Sequence, residues 1–321
     1  MKKISLIVAV TFVIAVLVFT YIRVTKDKDV IKVGYMEITA HAPLIAAYKN
    51  NIFDKYNIKV ELEVYPNTPA LINAIESKRI DVAFQVTPDL AWKSAQSNLL
   101  YIYFIAQSTD KSPIDGLYAM HEISRDSLIG KKIGCFPGPT AKAMSEKIIF
   151  EAYGLRASDY ELIEVQPPIQ LSKLEKGEIE LLFTYEPLGS LAQERIKAIK
   201  IIDAPVEKYI VNPWNGGIGI FSEDFVKFRK EVAGRFQDAI IEGNNFLKSS
   251  PDVSAQTLIQ LQPGLTHDIA IKIPLQNLIF SNSPDEINAI NSALERQLEI
   301  YKDLKIINGE VRHNLKVFSK K

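Results

Sequence analysis

Apolar and polar positions along this chain follow two rhythms, strand and helix, and the chain states the same succession twice. Ile31-Lys32-Val33-Gly34-Tyr35 is apolar apart from Lys32, as expected of a strand covered on both faces. A polar turn from Glu37 to His41 follows. Pro43 then stands just inside a helix, where its missing N–H costs nothing, and Leu44, Ile45, Ala47 and Tyr48 recur at helical spacing. Asn57 to Val64 alternates strictly and predicts an edge strand. Thr68-Pro69 opens a second helix with Leu71, Ile72 and Ile75 on one face, and the unit closes on a strand into Phe84 that Pro88 stops.

About a hundred residues later Lys132-Ile133-Gly134-Cys135-Phe136 begins the second copy, followed by the turn Pro137-Gly138-Pro139-Thr140 and further helical patterns. At the far end the register is constant. Ile80 matches Ile179, Asp81 matches Glu180, Phe84 matches Phe183, and Pro88 matches Pro187. Repetition of one apolar strand is weak evidence, but strand, turn, helix, charged helix end and strand in the same order predict two similar α/β lobes. Strands joined through helices are parallel, with right-handed crossovers.

Between the copies lie a helix around Leu90–Gln96, a strand at Leu100–Ala106, a break at Asp110–Pro113 and a strand at Gly116–Met120. After the second copy come a strand at Lys200–Ile202 and a segment interrupted by Pro205 and Pro213. The glycine-rich strand Gly216–Phe221 is placed back in the first lobe. Four helices are expected over Ser222–Lys248, Asp252–Gln262, His267–Asn277 and Asp285–Leu304. The expected division is residues 1–29 as a membrane or signal segment with its linker, 30–112 plus 217–321 as lobe I, and 113–216 as lobe II. Two crossings, near Gln107–Pro113 and Asn212–Gly217, make a hinge.

Composition narrows the function by exclusion. The 321 residues are 47% hydrophobic and 24% charged, enough for two cores. Lys plus Arg balances Asp plus Glu at 38 each, so no overall field recruits nucleic acid. The lone Cys135 excludes an internal disulfide and a cysteine-rich metal site. His41, His121, His267 and His313 lack metal-ligand spacing, so neither metal nor cofactor is expected. The N-terminus does carry a signal. Met1-Lys2-Lys3 precedes nineteen uncharged residues, Ile4 to Ile22, near the ~20 needed to cross a bilayer as a helix. No small-residue cleavage pattern precedes Arg23, and a lipoprotein cysteine is missing. An apolar N-terminal helix that anchors an extracytoplasmic body is the expectation; Lys2 and Lys3 support that orientation, and Arg23, Lys26 and Lys28 oppose it.

In open parallel sheets ligands bind beyond the carboxyl ends of the strands. Those ends carry Thr39, His41, Thr87 and Asp89 in the first lobe, and Pro137, Gly138, Thr140, Tyr185 and Glu186 in the second; the hinge adds Trp214 and Asn215. Each has two readings. Free N–H groups after Pro137-Gly138 would hold an anion or carbonyl, or Thr140 caps a plain turn. His41 donates to ligand or caps its turn, and Asp89 meets ligand or salt-bridges across the lobes. Tyr185 and Trp214, read as loop aromatics, are stacking candidates, whereas Trp92 reads as core. Cys135 reads as an inert small hydrophobe, and His267-Asp268 as a surface or capping pair. Glu186 stands where the first lobe has neutral Thr87. A carboxylate facing a closed cleft repels anions and favours an N–H donor.

These residues carry a family resemblance. Ile31 to Tyr35 with His41-Ala42-Pro43-Leu44, Phe53 and Ile80 to Phe84 resembles the opening of extracytoplasmic solute-binding proteins of ABC importers. The branch is the nitrate, sulfonate, taurine and thiamine-pyrimidine group. Leu128 to Gly134, Leu174 to Glu180 and Tyr185-Glu186-Pro187 resemble that group's second lobe, and Ser283 to Gly309 its closing helices. The resemblance implies a type II periplasmic-binding-protein fold, a small-molecule ligand between the lobes and a permease partner. Taken with the residues, the expectation is a monomeric binding protein, not an enzyme, with a nitrogen-containing heterocycle such as a thiamine-precursor pyrimidine as ligand. An alkanesulfonate, taurine or nitrate is the alternative, and an enzyme on the same fold or a sensory ectodomain is the alternative of another class.

Overall fold

The structure is a computed structural model that describes residues 28–309, 311 and 314–320. The apolar segment Ile4–Ile22 and His313 lie outside the described residues. No helix among the described residues is long and apolar enough to cross a membrane. In chain order, β1 (Asp29–Tyr35) leads through a 3-10 turn at Thr39–His41 to α1 (Ala42–Lys49), α2 (Ile52–Lys55), β2 (Ile58–Val64), α3 (Thr68–Glu76), β3 (Val82–Val86), α4 (Pro88–Ser94) and β4 (Leu100–Ser108). There follow β5 (Asp115–Ala119), β6 (Lys132–Cys135), α5 (Pro139–Tyr153), β7 (Glu161–Glu164), α6 (Pro167–Glu175), β8 (Leu181–Tyr185), α7 (Leu188–Arg195), β9 (Ile199–Asp203) and α8 (Pro205–Tyr209). The chain ends with β10 (Trp214–Ser222), α9 (Glu223–Ser249), α10 (Pro251–Leu261), α11 (His267–Ala270), β11 (Asn277–Phe280), α12 (Pro284–Asp303) and β12 (Leu315–Val317).

The repeat is built as a repeat. Sheet one runs β2-β1-β3-β10-β4 with β11 and β12 on the outer edge of β4, and sheet two runs β7-β6-β8-β5-β9. In each, the first strand of the unit pairs in parallel with the next two. The fourth strand in spatial order is antiparallel: β10 on β3, and β5 on β8. Even single contacts recur. The Asp81 N–H donates to Lys32 O at 2.9 Å, and the Glu180 N–H to Lys132 O at 2.8 Å. Tyr65 N–H donates to Tyr35 O at 2.8 Å, and Val165 N–H to Cys135 O at 2.9 Å. The glycines explain themselves in the same terms. A Cβ on Gly34 would lie 2.6 Å from Ile80 Cδ1, and one on Gly134 would lie 2.7 Å from Ile179 Cδ1. Each unit thus packs the isoleucine two residues before its last strand into the space left by a glycine in its first.

Sheet one surrounds an aromatic core. Tyr103 and Phe221 stack at 4.1 Å between ring centroids, with Phe225, Phe236 and Phe318 edge-on to Phe221. The long α9 lies on α1 at Gly243, where a Cβ would meet Ala47 Cβ and Pro43 O, both at 2.8 Å. The clearest departures from the sequence reading lie near the C-terminus. The expected helix from His267 to Asn277 is one turn, ending at Ala270, because Pro274 lacks the N–H a continuing helix needs and restricts the residue before it. Asn277–Phe280 instead joins β4 as an antiparallel strand, in register with Gln107 to Phe104. β12, three residues long, is too short to show a period.

Overpacking a close-fitted core costs ~1–3 kcal/mol. Gly34→Val is expected to lower the urea unfolding free energy by about that amount, and Ile80→Ala in the same chain to recover part of it. Equal losses in the single and double variants would show that the Gly34–Ile80 fit is unimportant.

Candidate ligand-binding site

Connectivity brings two strand edges together. β4 leaves sheet one at Ser108, and the chain enters sheet two at Asp115, which pairs with Tyr185 at the carboxyl end of β8. The return passes through α8 to Trp214, which pairs with Ser108 at the carboxyl end of β4. Both connections therefore run between the carboxyl edges, which face a common junction. The strand Trp214–Ser222 belongs to sheet one from its first residue, so Trp214, Asn215 and Gly216 sit with sheet one.

On the first edge Thr39 is half-buried in the 3-10 turn, and Thr87 precedes α4 without a side-chain cap. His41 is fully buried and does not cap its turn. Its Nδ1 accepts the Met36 N–H at 3.1 Å, which leaves the proton on Nε2, and Nε2 lies beside the Gln85 backbone without a well-formed hydrogen bond. The ring packs edge-on against Phe84 at 5.3 Å. Burial pushes its pKa down to about 3, partly offset by the Gln85 backbone. Gln85 is the residue that the sequence reading missed. It has φ +51° in the middle of a strand, where β3 and β10 shift register and two residues face one. A non-glycine residue held there is strained by ~1–3 kcal/mol. Its Nε2 donates to Gln276 Oε1 at 2.7 Å, while its buried Oε1 has no partner. Gly217 makes the room, since a Cβ there would sit 2.5 Å from Gln85 Cγ. The signal was present in the sequence: Gln85 is the one polar residue in Val82–Val86.

Next to it, Gln107 donates to Asn215 Oδ1 at 2.8 Å, so the first edge carries a cluster of amides. Asp89 is 3% exposed, with Oδ1 unpartnered, and forms no ion pair among the described residues. The expected cross-lobe salt bridge is thus not formed there. Trp214 is not a loop aromatic. It is buried in β10 and packs edge-on against Tyr301, as Trp92 does from α4, so both tryptophans are core.

On the second edge Gly138 adopts φ +122° before α5, a conformation reserved for glycine, with its N–H 3.3 Å from Glu164 Oε1. The N-cap is Gly138 rather than Thr140, and the buried Thr140 hydroxyl lacks a partner. Pro137 is half-buried beside it. Tyr185 lies edge-on to Phe136 and Phe183, its hydroxyl held neutral by burial. Glu186 turns away from that group. Its Oε2 accepts the Ser190 N–H at 3.1 Å at the start of α7, and burial raises its pKa. Its Oε1 side lies against Gly189 and Tyr118. The carboxylate therefore caps a helix, which accounts for its presence without a ligand. His267 pairs at the surface with Asp252 at 3.2 Å, and Cys135 is buried with its thiol pushed up to about 11.

Residues 38–254 match the NMT1/THI5-like family. The chain belongs to that family. A Haemophilus influenzae relative named for thiamine biosynthesis is 23% identical over 287 residues, covering 85% of this chain and 86% of its own length. The taurine-binding periplasmic protein of Escherichia coli is 20% identical over 220 residues, 67% of this chain and 66% of that one. Among solved structures, the Escherichia coli periplasmic aliphatic sulphonate binding protein SsuA superposes with a TM-score of 0.70 at 13% identity, over 88% of this chain and 95% of its own. The desulfurization enzyme DszB does so at 0.64 and 12%, over 88% and 94%. This NMT1/THI5-like chain thus has the periplasmic-binding-protein fold, one that carries both binders and an enzyme.

His41 gives a measurable pH signature. Its folded pKa of about 3 lies below the ordinary 6.5, so between those values the unfolded chain binds a proton the folded one refuses. Stability is expected to fall as pH drops through that window, by about 1.4 kcal/mol per pH unit at the steepest. In His41→Phe this part of the slope should vanish; chemical denaturation between pH 7 and 4 that gave parallel curves would refute the assignment.

Proposed function

We propose that this NMT1/THI5-like protein is an extracytoplasmic solute-binding protein that closes two lobes on a small molecule and delivers it to an ABC permease. In this reading residues 1–29 hold it to the membrane, and the two lobes meet at the connectors between β4 and β5 and between α8 and β10. The ligand is a planar molecule rich in N–H groups, of the aminopyrimidine kind. One observation carries that choice: the first edge offers unpartnered buried acceptors, Gln85 Oε1 and Asp89 Oδ1, and the buried residues described include no lysine or arginine. A buried acceptor without a donor costs ~1–3 kcal/mol, a penalty that a ligand N–H relieves. Tyr185 supplies an aromatic face from the opposite edge. Glu186, engaged by α7, is assigned to stability rather than to ligand. No group of three or more potential metal ligands is found among the described residues.

A second reading has its own support. The free N–H groups at the start of α5 and the unpartnered Thr140 hydroxyl suit a sulfonate or nitrate. Mass spectrometry of what copurifies, after denaturation, distinguishes them. An N–H-rich heterocycle is expected; a sulfonate or nitrate would reverse the choice. With that compound, Gln85→Leu should bind about five- to a hundredfold more weakly, the range for one buried N–H left unpaired at ~1–3 kcal/mol. Glu186→Gln should bind as the parent does, and Glu186→Ala, which removes the acceptor of the Ser190 N–H, should unfold at lower denaturant. Weakened binding in Glu186→Gln alone would restore that carboxylate to the ligand site, and chemical conversion of the compound by purified protein would make it an enzyme.

A further inference from the structure

Three buried polar side chains meet where the chain passes between the sheets, and the ligand reading uses none of them. Ser108 ends β4, Asp115 opens β5, and Glu207 lies on α8; they are 1%, 4% and 6% exposed. The Ser108 hydroxyl donates to Glu207 Oε1, and Asp115 Oδ2 accepts the Val206 N–H at 3.1 Å. Asp115 Oδ1 and Glu207 Oε2 accept from no other donor, and the Asp115 and Glu207 side chains lie within hydrogen-bond reach of each other. No lysine, arginine or histidine forms an ion pair with either carboxyl among the described residues. The other groups that face the pair do not neutralise it. Asp203, at the end of β9, adds negative charge, and its own cation, Lys200, stands 2.9 Å from it. The Tyr185 and Tyr118 hydroxyls are held neutral by burial, and Tyr301 of α12, facing Tyr185, likewise. β10 contributes uncharged Trp214 opposite Ser108.

We propose that Asp115 holds a proton that it donates to Glu207, so that Asp115, Glu207 and Ser108 tie sheet two to sheet one, and that loss of this proton drives the sheets apart. The tie is physical. Ser108 belongs to sheet one, whereas α8 packs on α5 and β5 of sheet two, so the Ser108–Glu207 bond spans the junction. With one proton the pair carries a single negative charge and bonds on both sides. With none, two carboxylates are buried together without the hydration they had in water unless water reaches them. Separation about the two connectors admits that water.

The direction follows from linkage. Burial, and then the Glu207 charge, push the Asp115 carboxyl up to about 8 from an ordinary 3.8. The arrangement seen here therefore holds a proton that a separated, hydrated arrangement releases. Its advantage is complete below the ordinary value and is lost as pH rises through about 8. The proposal does not depend on the identity of any ligand.

The test uses the full-length chain in detergent micelles, with spin labels at Ser77→Cys and Lys176→Cys. Both positions are exposed, at the ends of α3 beside sheet one and α6 beside sheet two, and Cys135 is fully buried. Pulsed electron resonance should give one inter-label distance at pH 6 and a different, broader distribution at pH 9.5. Asp115→Asn with Glu207→Gln should keep the pH 6 distance at both. An unchanged parent distribution, or a double variant that moves as the parent does, would overturn the proposal. Should the double variant fail to fold, Ser108→Ala serves. Removing a tie of ~1 kcal/mol should lower the midpoint by about one pH unit, and an unmoved midpoint would equally overturn it.

Discussion

Everything at the junction depends on how two parallel units are threaded. A β-α-β crossover fixes which end of each strand carries the loops, and in both sheets the loops gather at the carboxyl edge. Because the chain leaves sheet one from the carboxyl end of β4 and returns to pair with that same end, the two edges cannot face elsewhere. Backbone groups beyond strand ends are unpaired, and helices begin there, so such an edge accumulates donors, acceptors and positive φ. The structure collects Gln85, Asn215, Gly138 and Thr140 at these places for that reason.

The polar groups at the junction are unequal in sign. Asp89, Asp115 and Glu207 are buried carboxyls, and His41 is held neutral, while lysines and arginines are absent from the buried residues described. Such an imbalance is costly unless protons or donors offset it. The amide of Gln85 shows the same tension in the backbone: a strained φ is maintained by the Gln276 bond and by the opening at Gly217. The strained Gln85, the unpartnered acceptors of Gln85 and Asp89 and the Asp115–Glu207 pair occur together near where the sheets meet.

The family and the fold allow more than one chemistry. DszB, an enzyme, superposes on the chain nearly as well as SsuA does, so the architecture alone does not separate capture from catalysis. What separates them is local: which side chains reach the edge, and whether any pair there can accept and return a proton within reach of a ligand.

Much of this was legible in the chain. The twofold pattern of apolar runs, with glycine at Gly34 and Gly134 and isoleucine at Ile80 and Ile179, carried the repeat because periodicity and residue volume are local properties. The edge position of β2 followed from strict alternation, and Thr39, His41, Gly138 and Tyr185 were placed at strand ends by counting. Side-chain direction was not legible. Glu186 follows its strand where a ligand contact was expected, yet it accepts the Ser190 N–H of α7, and Trp214 turns into the Tyr301 core. Short strands β11 and β12 exist because β4 offers them an unpaired edge, which no local pattern announces. The meeting of Ser108, Asp115 and Glu207 joins residues up to 99 positions apart, and only the packed chain decides that two carboxyls will be buried side by side. Local sequence determines which elements form and where they stop; burial, partners and charge states are set by contacts between distant residues.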